Sequence, residues 1–218
     1  MLVDIELCLA FVRQAYVEGY MNEDVKQRTD FEPNWYHSAR VAQTLNFWLE
    51  ELNEGTESER RDIVLGAVGH DLLEDVKVTE EQVRALFGDR PLQYIRGMTR
   101  KGEDFNLKDY AAYTNKLVGS REEIRMIKLA DLIDNYTAPA FRVAYGPIND
   151  SKKQIGFFEN TLMPILDMQK GGVLKTDFKH YPITASHLCS QVRYSRHMLT
   201  EEIGKRKNEM YQFSNKID

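Results

Sequence analysis

The segment from Ile63 to Asp75, IVLGAVGHDLLED, begins as an ordinary core helix and ends in one imidazole and three carboxylates. On a wheel of about 100° per residue, Ile63, Ala67, His70 and Glu74 share one stripe, and Val64, Val68, Asp71 and Asp75 share the next. A face that is apolar for two turns therefore becomes ionisable for the next two without rotating. If its first half packs into a core, its second half points to the same interior. Unpaired carboxylates there cost on the order of several kcal/mol each, so a cation is expected to meet them.

Two other segments carry matching seams. Ile124, Ile127, Asp131 and Asn135 fall on one stripe of KLADLIDN and its upstream helix, and His37 begins a stripe continued by Val41, Thr44, Trp48 and Leu52. Three helices thus direct His37, His70, Asp71 and Asp131 inward. A single buried histidine is more often a satisfied core residue than a ligand. Two imidazoles with two carboxylates, however, suit a divalent transition metal such as Mn, Fe or Zn, with positions left for water. The bland alternative for Glu74 and Asp75 is a solvated helix end, which the negative end of the helix dipole mildly disfavours.

Around these seams the chain reads as one all-α domain spanning 1–218, with about eight or nine helices. Their expected positions are near 4–20, 36–52, 59–75, 80–88, 91–98, 107–118, 120–136, 151–168 and 184–208. Thr79 to Gln82 and Ser120 to Glu123 have the form of capping boxes, Pro139 is expected to follow a helix end, and Thr184 is the expected N-cap of the last helix. Gly171-Gly172 is read as loop. The two cysteines make no disulfide framework, which favours a reducing, cytoplasmic setting. There is no apolar run of membrane-spanning length. A net charge of −5 without a basic block argues against nucleic acid as a partner and leaves a small anionic substrate.

The ordered motifs YHSARVAQ, GHDLLED and IKLADLIDN resemble those of the HD-domain metal-dependent phosphohydrolases, and within them the RelA/SpoT-type (p)ppGpp hydrolase domain. The resemblance covers about residues 25–137, including FGDRPLQYIRGMTR, with helices over 151–218 expected to complete the shell and offer a homodimer surface. It implies an HD-type helical bundle and Mn²⁺ (Fe²⁺ or Zn²⁺ being suited to the same donors) held by His37, His70, Asp71 and Asp131. It further implies that Glu74 and Asp75 position and deprotonate the attacking water, that Asn135 contacts ribose or phosphate, and that Arg28 contacts the base. The reaction implied is release of pyrophosphate from the 3′ position of (p)ppGpp. The chain departs from the group's pattern at Ser38 (usually Pro), at Arg28 (usually an Arg-Lys pair) and at Ala138 (usually Thr). These departures cluster around base and ribose rather than metal, so they bear on which nucleotide is used.

Two other functions compete. The same centre could serve a nucleotidase or (deoxy)nucleoside triphosphate hydrolase, distinguished by its products. A non-catalytic helical binding module would keep the metal residues for stability, and a Glu74→Gln change would then leave any measured activity untouched.

Overall fold

The structure is a computed structural model that describes residues 2–22, 33–100 and 107–214. Its helices are α1 (Leu2–Met21), α2 (Trp35–Leu52), α3 (Glu57–Val68), α4 (Leu72–Asp75), α5 (Glu80–Phe87) and α6 (Asp89–Met98). They continue as α7 (Leu107–Val118), α8 (Glu122–Tyr145), α9 (Ile148–Phe157), α10 (Met163–Leu174) and α11 (Pro182–Ser214). A π-helical turn, Phe158–Leu162, joins α9 to α10 without a break. No strand occurs among the described residues, so the fold is all-α as expected. If α3 with α4 and α9 with α10 are each counted as one interrupted helix, the segments reduce to nine. No helix among the described residues is long and apolar enough to cross a membrane.

The organising element is α8, which packs against α2, α3, α6, α7, α10 and α11. Its residues 122–132 are buried on every side although they include Glu122, Glu123, Arg125, Lys128 and Asp131. A charged helix can be buried only if each charge is met. Glu122 accepts from the backbone N–H groups of Lys179 and His180, Glu123 is forked by Arg121, and Arg125 donates to the Asp177 carbonyl. The apolar positions of α8, among them Met126, Ile127, Leu129 and Leu132, join one buried core with Leu45, Leu49, Ile63, Leu65, Ile95 and Leu188.

Several helix boundaries differ from those expected. The third helix is not continuous from 59 to 75: α3 ends at Val68, Gly69 to Asp71 form a turn, and α4 is a single turn. At the break the His70 N–H reaches back to Ala67 and the Leu72 N–H to Gly69, both tighter than α-helical spacing. Gly69 lets the chain pass under α6, because a Cβ there would lie 2.6 Å from Ile95 Cδ1. α8 runs through Pro139 to Tyr145, since the burial of Ala140 and Val143 outweighs one lost backbone hydrogen bond. Gly171 and Gly172 lie inside α10; Gly172 is closely covered by Thr114 of α7.

Caps also moved. The Thr79–Gln82 capping box forms, whereas Ser120 instead donates to the Lys116 carbonyl. The last helix starts at Pro182, and its free N–H groups at Ile183 and Thr184 are met by the Glu54 carboxylate rather than by Thr184. A long-range carboxylate has replaced the local hydroxyl.

Three helices are tied at Asp167 of α10, which accepts from Tyr136 of α8, from Arg196 of α11 in a two-pronged fork, and from Lys170. Burial opposes ionisation of Asp167, but the hydrogen bonds from Arg196, Tyr136 and Lys170 outweigh it and hold the carboxyl down to about 2. A depressed carboxyl stabilises the fold above its unfolded pKa, and that contribution is lost as pH falls through the folded value. Asp167→Asn should therefore cost about 1 kcal/mol at pH 7 once solvent screening is allowed for, or a Tm lower by about 2–4 °C. Thermal melts over pH 7 to 2 should show the gap from wild type closing between about pH 4 and pH 2.

Candidate metal centre

His37 sits in the first turn of α2, His70 and Asp71 occupy the break after α3, and Asp131 lies midway along α8. The fold brings all four together. His37 Nε2 is 3.2 Å from His70 Nε2, 3.0 Å from Asp131 Oδ1 and 3.6 Å from Asp71 Oδ2. His70 Nε2 is 3.2 Å from Asp71 Oδ1 and 3.6 Å from Asp131 Oδ1. His37, His70 and Asp131 are buried and can each offer one ligand atom to a common centre. Gly69 matters here: the turn it permits swings Asp71 beside His70, where an unbroken helix would have spread the two by about 100°.

The tautomer of both rings is set from behind. The Ala67 carbonyl can only accept, so His70 Nδ1, 2.8 Å away, carries the hydrogen. The Asp134 carboxylate plays that part for His37 Nδ1 at 2.7 Å. With both rings neutral, two Nε2 lone pairs face one another among carboxylate oxygens, an arrangement that repels unless a metal ion or a proton occupies its middle. The spacings of 3.0–3.6 Å are the edges expected around a centre roughly 2.0–2.2 Å from each donor. The donor set therefore fits a divalent metal.

The surrounding charges respond to the same crowding. Burial opposes charging of His70, yet the Asp71 charge and hydrogen bonds to Asp131 and Asp71 push it up to about 10, so a proton is taken up where no metal is bound. Burial would raise Asp131 as well, but Lys128, with Nζ 2.6 Å from Oδ2, and the two histidines hold it well below the usual carboxylate range. Glu74 is shifted the other way: burial first, then the Asp71 charge, raises its pKa against the opposing contacts of Arg100.

The centre forms one end of a cavity of about 420 Å³, within the range of small-ligand sites. Asp71, Glu74, Lys128, Asp131 and Asn135 line the polar end. Phe158, Leu162, Ile165 and Leu166, from the π turn and α10, form an apolar wall. Within that wall Gln169 is 2% exposed, and its Oε1 has no hydrogen-bond partner among the described residues.

The two expected water-handling carboxylates part company. Glu74 lines the cavity, whereas Asp75 accepts from Tyr16 of α1 and is not among the lining residues. Their separation follows from the one-turn length of α4. Asn135 lines the cavity and donates to Asp131 Oδ1 at 2.6 Å. Lys128 pairs with Asp131 while still lining the cavity. Arg28 lies outside the described residues. Sequence reasoning missed Asp134 behind His37 and, among the cavity-lining residues, Arg100, Tyr113, Arg142 and Gln169. Asp134 alone carried a signal, one turn beyond Asp131 on the stripe already singled out.

These features define an all-α domain with a candidate divalent-metal centre. No family model matches the chain. It is similar, at 29% identity over 131 residues, to the probable guanosine-3′,5′-bis(diphosphate) 3′-pyrophosphohydrolase of Mycoplasma pneumoniae, covering 53% of this chain and 16% of that protein. At 28% identity over 127 residues it is similar to the guanosine-3′,5′-bis(diphosphate) 3′-pyrophosphohydrolase of Aquifex aeolicus, covering 57% of this chain and 17% of that one. The chain thus spans about a sixth of the length of these curated relatives. In fold it matches a metazoan ortholog of SpoT described as hydrolysing ppGpp, with a TM-score of 0.61 and 16% identity over 89% of this chain and 96% of that one. A Listeria monocytogenes protein matches with a TM-score of 0.55 and 18% identity over 74% and 99% of the two chains. By motif order, fold and relatives the chain resembles the HD-type helical domains of the RelA/SpoT group.

Divalent metal should bind only to the folded centre and so raise its stability. At Mn²⁺ about 100-fold above Kd the gain is about 2.7 kcal/mol, a Tm rise of several degrees. Asp131→Asn should abolish that rise in a thermal-shift titration.

Proposed function

We propose that the chain is a metal-dependent nucleotide pyrophosphohydrolase that releases pyrophosphate from the 3′ position of (p)ppGpp. The observation that carries this reading is the convergence of His37, His70, Asp71 and Asp131, with Asp71 and Asp131 lining a cavity that Glu74 also lines. Support for the substrate comes from the names of the curated relatives. Mn²⁺ is the ion implied by the resemblance, and the N/O donor set also accommodates Fe²⁺ or Zn²⁺. The two free cysteines accord with a reducing, cytoplasmic setting.

A bound divalent ion supplies polarisation of a phosphoryl oxygen and a lowered pKa for water. The protein's own groups do the rest. Glu74, its pKa raised by burial and by Asp71, takes a proton from the attacking water and returns it to the departing 3′ oxygen. Arg100 holds Glu74 in place through its backbone N–H and its guanidinium, 2.9 and 3.1 Å away. Lys128 places a positive charge beside the phosphates, and Asn135 orients Asp131 while facing the substrate. The apolar wall excludes water from the remaining nucleoside. There Gln169 offers the only buried, unpartnered polar atom that lines the cavity among the described residues.

Purified protein loaded with Mn²⁺ should convert ppGpp to GDP with one pyrophosphate per turnover. Orthophosphate released from a nucleoside monophosphate, with no pyrophosphate from ppGpp, would instead establish the nucleotidase reading. Glu74→Gln should lower kcat by about 10²–10⁴-fold with metal binding retained. Gln169→Leu should raise KM about tenfold and leave kcat within about threefold, as expected for loss of one buried hydrogen bond to bound substrate.

A further inference from the structure

We propose that Asp134 and Arg40 form a positioning pair that fixes the tautomer and aim of His37 as a metal ligand. The pair bridges α2 and α8 behind the ring. Asp134 Oδ2 lies 2.7 Å from His37 Nδ1, on the opposite side of the imidazole from the Nε2 that faces His70 and Asp131. Asp134 is thus no ligand itself. It is gripped in turn by Arg40, whose Nε is 2.5 Å from Oδ1 and whose Nη2 is 2.9 Å from Oδ2.

Each contact constrains the next. The two-pronged grip fixes the plane of the carboxylate and keeps it ionised, so it can only accept hydrogen bonds. An acceptor at Nδ1 places the hydrogen there and leaves the Nε2 lone pair free. A carboxylate behind the ring also makes the imidazole a stronger donor to a metal than a neutral acceptor does. The two histidines therefore differ: His70 is backed by the neutral Ala67 carbonyl, His37 by a full negative charge. Arg40 lies one turn beyond His37 on α2, and Asp134 lies three residues beyond Asp131 on α8. The pair consequently also locks the two ligand-bearing helices in register at the metal. This role rests on the metal-centre reading above and is separable from it.

The test compares wild type with Asp134→Asn, Arg40→Gln and, as a control, Asp167→Asn, whose Arg-paired carboxylate lies on α10. Co²⁺ affinity is measured by its visible absorption, metal-free stability by thermal melts, and the His37 tautomer by ¹⁵N NMR of the metal-free protein at high pH. Asp134→Asn should weaken Co²⁺ binding by about 10–100-fold and alter the Co²⁺ spectrum. It should also lose the uniform Nδ1–H signature of His37. Arg40→Gln, which keeps the carboxylate, should show a smaller loss in the same direction. Asp167→Asn should lower metal-free stability and leave Co²⁺ affinity unchanged. If Asp134→Asn holds Co²⁺ within twofold of wild type and keeps the tautomer, the positioning role is overturned. If it does not fold, Arg40→Gln decides, with unchanged affinity and tautomer again counting against the pair. Failure of wild type to bind Co²⁺ would overturn the metal reading and this role toward it together.

Discussion

The rest of the structure is arranged around a buried meeting of electron-rich atoms. Two imidazole nitrogens and the oxygens of two aspartates approach within 3.0–3.6 Å, with His37, His70 and Asp131 shielded from water. Such a cluster is unfavourable by itself, because repulsion and desolvation act in the same direction. The surroundings relieve it only in part. Lys128 neutralises one oxygen of Asp131, and carboxylate and carbonyl acceptors hold the ring hydrogens away from the centre. The remaining stabilisation is the share that a proton on His70, or a metal ion in its place, would supply.

The architecture explains how an acidic chain tolerates it. α8 enters the core as a charged helix and meets a partner at nearly every ionised position, from the Glu122 carboxylate capping the chain at Lys179 and His180 to the Arg40 fork on Asp134. Local rules of helix ending give way to this demand. The chain continues through Pro139 and leaves Ser120 without its expected capping role because the contacts of α8 are made at a distance.

What could be read from the sequence was the part written in periodicity. The apolar stripes that turn ionisable at His70, Asp71 and Asp131, and the stripe that starts at His37, marked the four converging side chains and the all-α class. The same wheel failed just past Val68, where Gly69 breaks the helix. It therefore put Glu74 and Asp75 side by side, although α4 sends one to the cavity and the other to Tyr16. The apolar wall was out of reach for a different reason. Phe158, Leu166 and Gln169 come together through a π turn and tertiary packing, and a glutamine in DMQKGG has no local pattern that marks it as buried. Asp134 stood in plain view on KLADLIDN, but only the fold shows which ring it touches.

The account stands or falls on whether those four side chains share one ion. The direct measurement is a crystal structure of the protein soaked in Mn²⁺, with anomalous diffraction used to locate the metal. The account predicts a single peak about 2.0–2.3 Å from His37 Nε2, His70 Nε2 and carboxylate oxygens of Asp71 and Asp131. A peak held by other residues, or none at this cluster at saturating Mn²⁺, would contradict it.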